Sequence, residues 1–158
     1  MRLYNPSMLV WYTNNEDRCV TGKAPTLAAV KIDYGEQTVL DWLTIQLLDY
    51  EKFCSVRDEA VTDENVRRQM AELILGDFYY LKLSEIMLFL RWLKTGKYGD
   101  LYGRINPQSI FRALRQFCRD RGEIIWRVEN EQRQKRDEME RQKAITRSQY
   151  EANKLEKK

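Results

Sequence analysis

The stretch Ser84-Glu85-Ile86-Met87-Leu88-Phe89-Leu90-Arg91-Trp92-Leu93 decides the fold class. Ile86, Met87, Phe89, Leu90, Trp92 and Leu93 leave almost no polar face on a helix of period 3.6, so this segment reads as a helix buried on nearly all sides. Ser84 is the natural cap at its start, and Gly96 ends it. Its longest apolar run, Ile86 to Leu90, is far below the roughly 20 residues that cross a bilayer, so no membrane span is expected.

Downstream, Asn106-Pro107 restarts the chain as an N-cap followed by proline at the first helical position, where its missing N–H costs nothing. Ile110, Leu114 and Phe117 form an inward seam, with Phe111 and Cys118 beside it. Arg112, Arg115 and Arg119 recur at spacings of three and four on another face. Between the two helices lies a connector rich in glycine and tyrosine, Gly96 to Pro107. It lacks the Gly-Lys-Ser/Thr ending of a nucleotide loop and no strand precedes it, so it reads as a shaped connection.

Upstream, Asp63 or Thr62 caps a helix carrying Val66, Met70, Leu73 and Ile74. From about Gln37 to Phe53, Val39, Trp42, Leu43, Leu47, Tyr50 and Phe53 follow a helical period. Thr26 caps a shorter helix that Gly35 closes. No segment alternates strictly and no hairpin signal occurs. The expectation is an all-α compact bundle of about five helices over residues 26–122. An irregular N-terminal arm, 1–25, carries the breakers Pro6, Asn14-Asn15, Gly22 and Pro25.

Beyond Gly122, Ile124, Ile125, Trp126 and Val128 still offer apolar contact, and from Glu129 onward the apolar pattern fails. Residues 123–158 read as a charged tail, a solvated helix or a disordered segment that becomes helical on a partner. The spacings Glu129–Arg133, Glu131–Lys135 and Asp137–Arg141 supply i,i+4 pairs worth roughly 0.2–0.5 kcal/mol each.

The net charge of +3 hides an asymmetry: residues 1–80 hold 8 basic and 13 acidic side chains, whereas 81–121 hold 9 basic and 3 acidic. A basic segment beside an acidic half is an argument about partners. The candidate surface for nucleic acid or an acidic partner is Lys94, Lys97, Tyr98, Tyr102, Arg104, Arg112, Arg115 and Arg119, the cations for phosphates and the tyrosines for unpaired bases. The plainer alternative is a solvated basic face that balances the acidic half of the same molecule.

The chain has no histidine, which removes serine–histidine and cysteine–histidine catalysis and histidine-ligated zinc. Cys19, Cys54 and Cys118 are odd in number and far apart, which favours free thiols and a cytoplasmic location. No enzyme activity, metal or cofactor is expected.

The run Tyr79 to Leu90, with Gly96-Lys97-Tyr98-Gly99 and Leu101-Tyr102-Gly103-Arg104-Ile105-Asn106-Pro107, resembles an uncharacterised family of short proteins of Bacteroides-type bacteria, their phages and mobile elements. The likeness extends from about Pro25 to Arg121 and leaves the charged tail outside. That family has no assigned activity and transfers no functional residue. A looser architectural likeness is to phage replicative-helicase loaders, small helical domains followed by a mobile charged tail. These likenesses imply a non-enzymatic accessory protein in DNA replication or another DNA transaction, binding single- or double-stranded DNA and recruiting a replication or host protein through its tail. The alternative is a protein–protein adaptor or inhibitor of a host factor with no nucleic-acid role.

Overall fold

A computed structural model describes residues 4–54, 63–99 and 106–156. Its helices are α1 (Leu9–Tyr12), α2 (Glu16–Thr21), α3 (Leu27–Tyr34), α4 (Glu36–Cys54), α5 (Glu64–Asp77), α6 (Leu83–Lys94) and α7 (Pro107–Glu156). The described residues form no strand; one isolated antiparallel bridge joins Thr26 to Lys82. The protein is all-α, as the periodicity predicts. Its contacts divide the chain into two compact units, 1–121 and 122–158.

In the first unit, α6 is the central helix. Ten of its side chains, from Leu83 to Leu93, are buried. Phe89 and Trp92 meet Phe117 of α7 edge-on, with ring centroids 5.6 and 5.4 Å apart. Such aromatic pairs add about 0.5–1.5 kcal/mol beyond their buried area. The seam expected on α7 is in place: Ile110, Leu114 and Phe117 are fully buried, and Ala113 lies with them.

The helix ends follow local chemistry. Thr26 Oγ1 accepts from Ala29 N at 3.1 Å, and Asp63 Oδ1 from Asn65 N at 2.8 Å. Thr62, the alternative cap, lies outside the described residues. Gly35 closes α3 at φ 88°, the left-handed region that glycine enters without penalty. After α6, Gly96 N donates to Leu93 O and Lys97 N to Trp92 O, with Gly96 at φ 74°, which satisfies the last carbonyls in a Schellman arrangement.

Several expectations differ from the structure. The arm is helical and packed into the unit: Leu9, Cys19 and Val20 are buried. Asn15, read as a breaker, caps α2, and Asn5 caps the 3₁₀ turn Pro6–Met8. Trp42 Nε1 and Gln46 Nε2 both donate to Tyr4 O, and Lys82 Nζ donates to Val20 O and Gly22 O at the end of α2.

Ser84 is not the cap of α6. Leu83 N donates to Pro25 O and Leu27 N to Leu81 O, which holds Lys82 extended and starts the helix at Leu83. Glu85 Oε2 then accepts from Lys82 N at 2.8 Å, and the Ser84 hydroxyl donates to Cys19 O. Phe53 and Leu73, read as core, are 62% and 53% exposed, and Leu75 takes the inward place on α5.

In the second unit, α7 continues as a helix to Glu156. From Glu131 to Arg147 every side chain is exposed. Glu131 meets Arg127 at 3.6 Å, whereas the three i,i+4 pairs expected from spacing do not close.

Candidate nucleic-acid interface

Asn106 Oδ1 accepts from Gln108 N at 2.9 Å and launches α7 with Pro107 in its first turn. The buried seam fixes the rotation of this helix, and that rotation turns Arg112, Arg115 and Arg119 outward, where all three are exposed. Arg119 donates through Nε and Nη2 to Gln116 Oε1. Gln116 in turn donates to Asp120 Oδ1 at 2.9 Å. Among the described residues, none of the three arginines forms an ion pair with a carboxylate.

The other cations of the basic segment are engaged within the molecule. Lys94 Nζ lies 2.5 Å from Asp49 Oδ2 and above the Phe53 ring. Lys97 Nζ sits 3.0 Å from the Trp92 ring centroid and 3.3 Å from Asp120 Oδ2. Arg121 Nε is 2.6 Å from Oε1 of the fully buried Glu85. Arg91 donates to Thr13 O.

Tyr98 is half-buried, and its hydroxyl donates to Asp120 Oδ2 at 3.0 Å. Burial, and then this bond, push the Tyr98 hydroxyl well above the usual phenol range. Burial opposes ionisation of Asp120, but hydrogen bonds from Gln116, Tyr98 and Lys97 outweigh it and hold the carboxyl below the ordinary aspartate range. Tyr102 and Arg104 lie outside the described residues.

The structure thus separates the candidate residues into two groups. Lys97 and Tyr98 converge on Asp120, and Lys94 joins Asp49, in contacts that fix the end of α6. Arg112, Arg115 and Arg119 form one solvent-facing row on α7. Sequence reasoning missed Gln116 and Asp120, which steady Arg119 and anchor Lys97. Their spacing from Arg119 and from each other was the available signal. No group of three metal-capable side chains converges among the described residues, and no helix there is long and apolar enough to cross a membrane.

Fold and surface define a small all-α protein with a basic row on its last helix. The chain belongs to a family of unknown function, DUF6633, whose model matches residues 63–158. The match takes in α5, α6 and α7 together with the tail, which the resemblance read from sequence had left outside. No curated protein and no solved structure matches the chain.

Proposed function

We propose that this protein is a non-enzymatic accessory factor that binds DNA through Arg112, Arg115 and Arg119. The observation that carries this reading is the contrast between those three and the other cations of the segment. Lys94, Lys97 and Arg121 balance acidic groups of the same molecule, while the row on α7 faces solvent without a carboxylate partner. A guanidinium in that state is available to phosphate oxygens, which supply most sequence-independent affinity for nucleic acid. The resemblance to proteins of phages and mobile elements makes DNA replication or a related transaction in the cytoplasm the setting we infer, with the tail engaging a second protein.

The test is a filter-binding titration with single- and double-stranded DNA over a salt series. If each arginine neutralises one phosphate of a duplex, log K falls with log salt at a slope of about −2.7. Arg112→Ala with Arg115→Ala lowers that slope by about 2. Arg112→Glu with Arg115→Glu abolishes binding. Absence of binding at low salt, or binding indifferent to the double reversal, refutes the proposal.

A further inference from the structure

On the first unit, α5 is bordered on one face by the start of α4 and by α3. Two open depressions lie along that border, of about 520 and 440 Å³. The first is walled by Thr44 and Ile45 against the opening turns of α5. The second is walled by Ala28, Ile32, Leu75, Gly76 and Tyr79. Ile45, Ile32 and Tyr79 are 54%, 83% and 55% exposed, an apolar content that the fold itself does not bury.

A polar bridge separates the two. Arg68 reaches from α5 to Gln37 Oε1 at 2.7 Å and Asp41 Oδ1 at 3.2 Å, and pairs with Glu72 at 3.3 Å. The walls are held in place before any partner arrives. Ala28 N donates to Tyr79 O at 2.9 Å, which ties α3 to the end of α5. The buried pair Arg67–Glu51, at 2.9 Å, ties α5 to α4.

Gly76 is the telling residue. It sits inside a helix without a positive φ, and a Cβ there would meet nothing within 4 Å. Neither backbone conformation nor close packing requires glycine, although glycine weakens a helix by roughly 0.5–1 kcal/mol relative to alanine. Gly76 lines the second depression, and the space a side chain would take there is open.

The groove is also acidic. Asp41, Glu36, Glu64 and Glu72 line it against two cations, Arg68 and Lys31, the latter 2.9 Å from Glu36, which leaves a net charge of −2 on the rim. Along α5 the lining residues run from Glu64 to Arg68 in one depression and from Glu72 to Gly76 in the other, an offset of eight residues or about 12 Å. On a helix lying in the groove, side chains seven or eight residues apart span that distance on nearly one face.

We propose that this groove receives an amphipathic helix of another protein, with two large apolar side chains about two turns apart and lysine or arginine beside them. Apolar anchors enter the depressions, and the basic flank meets the acidic rim, the helix-in-groove mode of recognition. This site is independent of the arginine row on α7.

The probe is a synthetic four-turn helical peptide with two leucines two turns apart and flanking lysines, titrated by fluorescence anisotropy against the full chain. Saturable binding is expected, weakened at least tenfold by Gly76→Phe, which fills the second depression, and by Ile32→Ser, which removes an exposed wall without touching the core. Peptides with both leucines replaced by alanine, or with the lysines replaced by glutamate, bind at least tenfold more weakly. Equal binding of the alanine peptide, or indifference to both variants in folded protein, overturns the proposal. Equal binding of the glutamate peptide overturns the basic partner. Sedimentation that shows self-association lost in Gly76→Phe assigns the groove to a second copy and overturns the foreign helix. DNA binding is measured on the same variants and stays unchanged, so failure of the groove and failure of the arginine row are read separately.

Discussion

Asp120 gathers three donors: the Tyr98 hydroxyl, Lys97 Nζ and the Gln116 amide. Its role is to hold the turn after α6 against α7. Hydrogen bonds to a charged acceptor contribute about 1.5–3 kcal/mol each when buried, and less at a site with solvent access. Asp120→Asn keeps the shape and removes the charge, so a loss of about 1–2 kcal/mol at neutral pH is expected. The carboxyl is held below its ordinary range in the folded protein. Its contribution is therefore complete above the unfolded value of about 3.9 and is lost as pH falls through the lower folded value. Urea denaturation of both proteins from pH 7 to pH 3 checks this: the gap between them closes below about pH 4. A gap that persists unchanged to pH 3 contradicts the role given to the charge.

Two glycines carry opposite predictions at the scale of the helix. Gly35, at φ 88°, ends α3 in a conformation that costs a residue with a Cβ about 1–2 kcal/mol. Gly122 lies inside α7 without a positive φ, and a Cβ there would meet nothing. Gly35→Ala is expected to destabilise by about 1 kcal/mol. Gly122→Ala is expected to strengthen the local helix by about 0.5–1 kcal/mol, seen as slower amide exchange on both sides of residue 122. The same sign for both would contradict the backbone assignment. The contrast also marks what sequence makes legible. Thr26, Gly35, Asp63 and Asn106-Pro107 were readable because a cap is chemistry between near neighbours. The helical start of the chain was not, because an asparagine such as Asn15 looks the same as a breaker and as a cap. Ser84 was misread because its partner, Cys19 O, comes from another helix. Lys94 and Lys97 looked like free cations for the same reason: Asp49 and Asp120 belong to other helices. The arginine row was legible, since an apolar seam at i, i+4 and i+7 fixes which face of α7 remains outside. The groove was not, since its walls come from three helices and from residues as far apart in sequence as Ala28 and Tyr79.

The charge asymmetry of the whole chain is partly resolved inside the first unit. Acidic groups on α4, α6 and α7 hold Lys94, Arg121 and Lys97, as Glu51 holds Arg67. That unit also contains every one of the largest fully buried side chains, from Leu27 to Phe117. Among the described side chains of the second unit only Ile124 is buried. From Glu131 to Arg147 the helix is exposed on every side and depends on pairs such as Arg127–Glu131, each worth roughly 0.2–0.5 kcal/mol and weakened by salt. The two units are therefore expected to answer truncation differently, although the family match spans both α5–α7 and the tail. Residues 1–121 alone should unfold in one cooperative transition within a few degrees of the full chain, and should keep the DNA binding assigned to Arg112, Arg115 and Arg119. A peptide of residues 122–158 should show partial helicity that falls without a cooperative midpoint on heating and declines with added salt. Circular dichroism of the two pieces measures both. A truncated 1–121 that fails to fold would mean that the tail completes the core, and a peptide that melts sharply would mean that it associates through a face of its own.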